Sequence, residues 1–221
     1  MKLSHPDKAK SFAAFAGAMD VDELKEMIES LQKEAEADGG GAGKNRSMFM
    51  DVYASAARDH MEKHGTTVEQ FAMVAAKNSF HGSLNPRAQF REALTVEEVL
   101  AAPMIAEPLT RPMCSPIGDG AAAAIVVSEK KARELGIERP VRVAVSVLRS
   151  GWDHDIDEPG TVELCTREAF EEAGVGPEDL DVVECHDASA PAEVVAYEAM
   201  GLCPKGEGGR LIDEGITRLG G

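Results

Sequence analysis

Residues 181–193 read DVVECHDASAPAE. A short apolar, β-branched run carries Val182 and Val183 straight into His186 and Asp187, and a small-residue stretch with Pro191 then opens a helix over 192–200 that Gly201 closes. This order predicts a buried strand over 181–185 with a His/Asp pair just past its carboxyl end, the edge where open α/β sheets keep their ligands. Working back along the chain, residues 161–173 form a helical pattern stopped by Gly174, and 177–180 are a short acidic turn. Residues 141–148 alternate Val143, Val145 and Val147 with small or polar neighbours, which predicts a second strand. Earlier still, Gly118 and Gly120 make a turn, 121–127 are a run of alanine and β-branched residues, and 128–135 are a helix ended by Gly136. Strands alternating with helices imply a sheet covered by helices, an α/β protein.

The grammar upstream is different. Residues 21–37 place Leu24, Met27, Ile28 and Leu31 on one helical stripe, and 38–43 then carry four glycines in six residues, a flexible loop. Residues 46–64 are a second helix on the spacing of Met50, Tyr53, Ala54, Ala57 and Met61, closed by Gly65. A third helix over 66–78 is opened by Thr66 or Thr67 with Glu69 or Gln70 as box partner. Asn78, His81, Asn85 and Pro86 read as loop, and 95–101 as a short capped helix. Residues 1–108 are therefore expected to be helical and loop-rich, without a clear strand.

Composition narrows the function classes. The 221 residues are 43% hydrophobic and 28% charged, enough for a real core. With 39 acidic against 23 basic residues the net charge is −16 and the pI about 4.8, which repels phosphate backbones and anionic lipid. Nucleic acid and membrane surfaces are excluded as expected partners. No window approaches a spanning helix and no signal-like run opens the chain, so the expected location is cytoplasmic. Cys114, Cys165, Cys185 and Cys203 are scattered without a CxxC pair, indicating reduced thiols and no metal site.

Individual residues carry the chemistry unevenly. The glycine stretch before Lys44 fails as a phosphate loop, because Asp38 stands where the first glycine belongs and Asn45 replaces the metal-binding hydroxyl. His60 and His64 sit four apart, but HMEKH is not HExxH, and a solvated helix end is the simpler reading. At residue 186 two readings stay open. His186 either stabilises a developing oxyanion or relays a proton, with Asp187 or Glu193 orienting it, or it is a loop residue beside a helix capped by Asp187 or Ser189. Cys185 points to the opposite strand face from His186 and is expected to be structural. Cys114, ahead of the Gly118/Gly120 turn, lacks a base and reads as a small buried hydrophobe.

Four blocks, HMEKHGTTVEQFAMVAAKN, NPRAQF, CSPIGDGAAAAIVVSEKKA and VVECHDASAPAEVVAYEAMGLCPKGEGGRLIDEG, occur in an order that resembles thiolases of the sterol-carrier and lipid-transfer-protein type. The resemblance implies a thiolase-like layered α/β fold, here incomplete. Residues 1–108 correspond to the helical loop domain inserted in the first half, 109–135 to the end of that half, and 140–221 to the start of the second. It also implies carbon–carbon bond cleavage or formation beside a CoA thioester, with CoA or acyl-CoA as substrate and no resident cofactor. His186 of the family's HDx motif takes the oxyanion-hole role, and no individual CoA-contacting residue is assigned. Neither the family's GHP nor its CxG motif occurs in the 221 residues. Without these and the acyl-carrying cysteine, the chain alone is expected to be inactive and to need a complementing chain or a homo-oligomer. Two other outcomes follow from the same likeness: a retro-aldolase component acting on steroid side-chain acyl-CoA with a small OB-fold and zinc-ribbon subunit, or a noncatalytic module that binds CoA or a protein partner.

Overall fold

The computed structural model describes Glu26 and residues 48–116, 118–151 and 159–221. The expected helix over 21–37, apart from Glu26, and the glycine loop over 38–43 lie outside them. Glu26 is helical, and among the described residues after it seven α-helices follow in chain order: α1 (Met48–His64), α2 (Val68–Leu84), α3 (Val96–Ala101), α4 (Glu129–Glu134), α5 (Thr161–Ala173), α6 (Ala190–Ala199) and α7 (Gly208–Asp213). Between α3 and α4 a two-stranded antiparallel sheet joins β1 (Met104–Ala106) to β2 (Leu109–Thr110), so the helical segment does contain a strand. No described helix is long and apolar enough to cross a membrane.

The helix ends follow their sequence signals closely. Thr67 accepts from the Gln70 amide while the Gln70 side chain accepts from the Thr67 amide, and Thr95 and Glu98 make the same reciprocal box at α3. Gly174 takes a left-handed conformation, φ 69°, just after α5, where a side chain would strain the turn. Helix α2 continues through Asn78 and His81 to Leu84, past the point where polar residues suggested a loop. Those side chains are used within the fold: Asn78 reaches Glu193 and His81 accepts from the Leu219 amide. Thr67→Ala is expected to lower the unfolding free energy by about 1 kcal/mol in urea titrations, through loss of one reciprocal cap.

Helix α2 is the spine. Its buried Phe71, Ala72, Val74 and Ala75 meet Val99 of α3, Leu109 and Met113 beyond the small sheet, Val194 and Tyr197 of α6, and Leu211 and Ile212 of α7 in one cluster. Ala54 and Ala57, fully buried on α1, permit close approach to this cluster. The helical segment and the carboxyl-terminal segment therefore share a core, with α2 between them.

The segments expected as strands behave differently. Residues 121–127, 141–148 and 181–185 take no regular secondary structure and form no β-ladder among the described residues. Their apolar side chains stand in solvent, with Ile125 at 92%, Val141 at 94% and Leu148 at 96% exposure. The pleat survives in part: Val145 and Val147 are half-buried while their neighbours are exposed. Arg149 donates to Glu168 of α5 at 2.7 Å, so a helix lies alongside without a second strand. A strand's hydrogen bonds come from its neighbours, so an isolated run of strand-forming residues stays unladdered. The described residues thus form an incomplete α/β arrangement, rich in helix, with one small ladder.

Candidate functional site

Four stretches distant in sequence meet at the amino terminus of α6. The Ser115 amide donates to the Ala188 carbonyl at 3.1 Å, and Cys114 and Ser189 face each other as an isolated antiparallel bridge. A Cβ at Gly118 would lie 2.8 Å from Gln89 Oε1, which sets the NPRAQF loop against the GDG turn. From α2, Lys77 and Asn78 reach Glu193 of α6. Ala188, Ser189 and Glu193 are held by these contacts on two sides.

Glu193 is the centre of this cluster. It is only 5% exposed and Lys77 only 9%, and the two form a buried ion pair. Tyr197 also donates to Glu193, and Asn78 Nδ2 donates to its other oxygen at 2.5 Å. Lys77 Nζ further donates to Tyr197 at 2.9 Å and to Thr217 Oγ1 at 3.5 Å. Burial pushes the Glu193 carboxyl up, but the Lys77 charge and the donors Lys77, Tyr197 and Asn78 outweigh it and hold the group below the usual carboxylate range. Asp187 goes the other way: burial, then the Glu193 charge and a hydrogen bond to Glu193, push it up to about 6. Burial, then the Glu193 charge, push the Tyr197 phenol up, so it stays a donor.

His186 lies between half-buried Cys185 and Asp187 and is itself exposed. Its neighbours face the cluster and it faces outward, as alternation along an extended chain requires. Among the described residues its side chain makes no hydrogen bond, so neither Asp187 nor Glu193 orients its ring. Ser189 occupies the amino-cap position of α6 without a capping bond, and its buried Oγ finds no partner among the described residues. Side-chain capping by Ser189 is therefore not what this turn is built for. The imidazole is left available on the outer face, in a position to donate a proton or hydrogen bond to a group arriving there.

The thiols are quiet. Burial pushes Cys114 and Cys185 up to about 11, with the Asp187 and Glu193 charges adding to the effect at Cys185, and Cys203 rises to about 11 from burial as well. All three keep their protons at neutral pH, which is unfavourable for a nucleophile. No group of three metal-ligating side chains exists among the described residues. His60, expected as a solvated helix end, is instead buried. Its Nδ1 pairs with Thr66 Oγ1 at 2.8 Å and its Nε2 with Glu198 at 3.1 Å, and Glu198 also accepts from the Gly208 amide. The periodicity of α1 placed His60 near the apolar face, but its partner is 138 residues away. Lys77 and Asn78 were missed as site residues. Their one local signal is a lysine inside the apolar stretch FAMVAAKN.

Comparison with known proteins identifies the class. Residues 154–221 match the family described as thiolase C-terminal domain-like. The chain is 43% identical over 173 residues to the benzoylsuccinyl-CoA thiolase subunit BbsB of Thauera aromatica, covering 76% of this chain and 45% of that protein. It is 35% identical over 179 residues to sterol carrier protein 2 of Oryctolagus cuniculus, covering 77% of this chain and 33% of that one. The Ltp2-ChsH2(DUF35) aldolase structure superposes with a TM-score of 0.63 at 24% identity, over 75% of this chain and 46% of that one. This is a likeness of fold. The chain belongs to the thiolase superfamily. Within it, the resemblance is to the sterol-carrier and lipid-transfer type, of which it spans a third to less than a half of the length of the relatives just named.

Proposed function

We propose that this chain is the thioester-holding portion of a thiolase-type acyl-CoA acyltransferase, with His186 binding the substrate carbonyl oxygen. When a nucleophile attacks a thioester, negative charge gathers on that oxygen, and a donor already fixed in place lowers the barrier because it need not reorganise. His186 is suited to this by its outward-facing imidazole on a turn pinned by Ser115 and, through Asp187, by Glu193. We assign the acyl-carrying thiol and the base that takes the α-proton to complementing segments, a reading supported at three of the four cysteines, Cys114, Cys185 and Cys203, which burial keeps protonated.

The observation that carries this reading is the state of residues 121–127, 141–148 and 181–185, strand-forming sequence left without a ladder among the described residues and with most of its apolar side chains in solvent. Such edges recruit further strands. That BbsB is named a thiolase subunit favours completion by a second chain. Substrates are acyl-CoA or 3-oxoacyl-CoA thioesters.

The test is thiolysis. The purified chain given acetoacetyl-CoA and CoA is expected to produce acetyl-CoA no faster than the uncatalysed reaction. Turnover that disappears on replacing one of its four cysteines would refute the division of labour. A retro-aldolase would instead cleave β-hydroxyacyl-CoA only when a small companion subunit is added, without a need for free CoA. The open edges give a second expected result. Val143→Lys should leave the unfolding free energy within about 0.5 kcal/mol, because the side chain is already exposed. It should also reduce self-association in sedimentation velocity at matched concentration.

A further inference from the structure

We infer that His81 is an acid-released latch that holds the turn over residues 214–221 against α2. The inference goes beyond the proposed function and does not depend on it. After α7 the chain folds back on itself: the Ile216 amide donates to the Leu211 carbonyl at 3.1 Å, that of Arg218 to Gly215 at 3.1 Å and that of Gly221 to Arg218 at 2.9 Å. Only two hydrogen bonds join this turn to α2 among the described residues. Lys77 Nζ donates to Thr217 Oγ1 at 3.5 Å, near the outer limit for such a bond, and the Leu219 amide donates to His81 Nε2 at 3.2 Å. Apolar burial adds little, because Ile216 is 52% and Leu219 74% exposed. Gly215 and Gly220, at φ 71° and 80°, bracket residues 216–219, and a glycine moves between backbone regions without the steric cost of a side chain. The turn is therefore hinged at both ends and held to α2 chiefly by one histidine.

An amide N–H only donates, so His81 Nε2 has to offer a lone pair: the ring is neutral, with its proton on Nδ1. Protonation turns Nε2 into a second donor facing the first, and the bond is lost. His60 follows the opposite logic. Its Nε2 faces the Glu198 carboxylate, which only accepts, so that nitrogen carries a proton in either charge state, and its Nδ1 meets a Thr66 hydroxyl able to donate or accept. Acid thus leaves α1 clamped to α6 while it frees the turn, and release draws Thr217 away from the ammonium of Lys77. The charged and titratable groups that α6, α7 and the turn bring toward α2 are Glu193 and Tyr197, Asp213, and Glu214 and Arg218. Glu193 and Tyr197 bond to Lys77 of α2, Asp213 accepts from Gln70 and Glu214 from Arg210. On α3, Glu98 caps its own helix beside exposed Glu97. None of these groups bonds to His81 among the described residues, so the state of the latch follows the His81 ring itself.

The experiment is a nitrogen-15 NMR titration of the full chain, wild type and His81→Gln, from about pH 8 to about pH 5.5, within the span over which histidines change charge. At the alkaline end the His81 ring is expected to show the Nδ1–H tautomer, and the Leu219 amide should follow the ring as it takes up a proton. Backbone order parameters of residues 216–219 should fall from about 0.85 toward about 0.6 at the acid end. In His81→Gln the side-chain oxygen accepts at every pH, so the amide position and the order parameters should both stay level. Asp187, which burial and then the Glu193 charge raise to about 6, titrates in the same window in both proteins and is the internal control. An Nε2–H tautomer in the neutral wild type overturns the inference whether or not the variant folds, because that nitrogen could not then accept. A Leu219 amide that does not follow the ring, wild-type order parameters that stay level, or a His81→Gln protein whose turn still loosens in acid overturns it as well.

Discussion

Lys77→Ala is expected to cost about 3–5 kcal/mol of unfolding free energy at neutral pH, as measured by urea denaturation. The loss comes less from the missing attraction than from what remains: Glu193, 5% exposed, keeps its charge with only Tyr197 and Asn78 to hold it. Lys77→Met, which preserves the aliphatic stem against the core, should recover part of the loss. Surface pairs give the contrast. Arg133 and Glu129, both largely exposed on α4, should cost less than about 1 kcal/mol to separate. Acidity then distinguishes the charge effect from a packing effect. Without Lys77 the buried Glu193 can be relieved by taking up a proton, so the deficit of Lys77→Ala should shrink as the pH falls from 7 toward about 4.5. A deficit below about 1 kcal/mol at pH 7, or one that does not change with acidity, would remove Glu193 as the ionised centre of the cluster.

The wild-type protein should show two opposed slopes from the same pair. Glu193 is held below its unfolded value, so its contribution is present above that value and is lost as the pH falls through the lower, folded one. Asp187 is raised to about 6, so its contribution is complete below the ordinary carboxylate range and is lost as the pH rises through about 6. Between the two, the pair shares one proton.

How much of this was legible beforehand depends on how local each cause is. Helix α5 was read at its full extent because its stop is one residue, Gly174, in a left-handed conformation. The cap boxes at Thr67 and Thr95 are equally local. Helix α7 has no counterpart in the sequence reading, because it opens on two glycines, Gly208 and Gly209, which carry no helix signal. Their role is long-range: a Cβ on Gly208 would sit 2.6 Å from the Val194 carbonyl oxygen, and one on Gly209 2.5 Å from Gln70 Oε1. Residues 141–148 have the composition and alternation of a strand, yet a ladder is made by two segments and composition reports only one. At the candidate site, residues 186–188 stand out locally as a His/Asp pair after an apolar run, with two readings of His186 left open. The Lys77–Glu193 pair spans 116 positions, and nothing around residue 77 names its partner.

His186→Ala should lower kcat by about 10²–10³-fold, the scale of removing one oxyanion donor, when the stretch of this chain matched to BbsB is grafted into that thiolase subunit and thiolysis is assayed. KM for the thioester should change much less, because charge on the oxygen builds up after binding. The same substitution in this chain alone should leave the unfolding free energy within about 0.5 kcal/mol, since the imidazole is exposed and has no side-chain partner among the described residues. That combination separates the two readings the sequence left open. A loop histidine beside a helix cap would leave kcat as well as stability unchanged, and a histidine needed for folding would lower the unfolding free energy without a selective loss in kcat. His186→Asn, which keeps a side-chain N–H, should retain more activity than His186→Ala if donation to the oxygen is the function, but not if a proton must be carried. A grafted His186→Ala enzyme with kcat within about twofold of its parent would leave the thioester oxygen to another donor and take His186 out of the reaction.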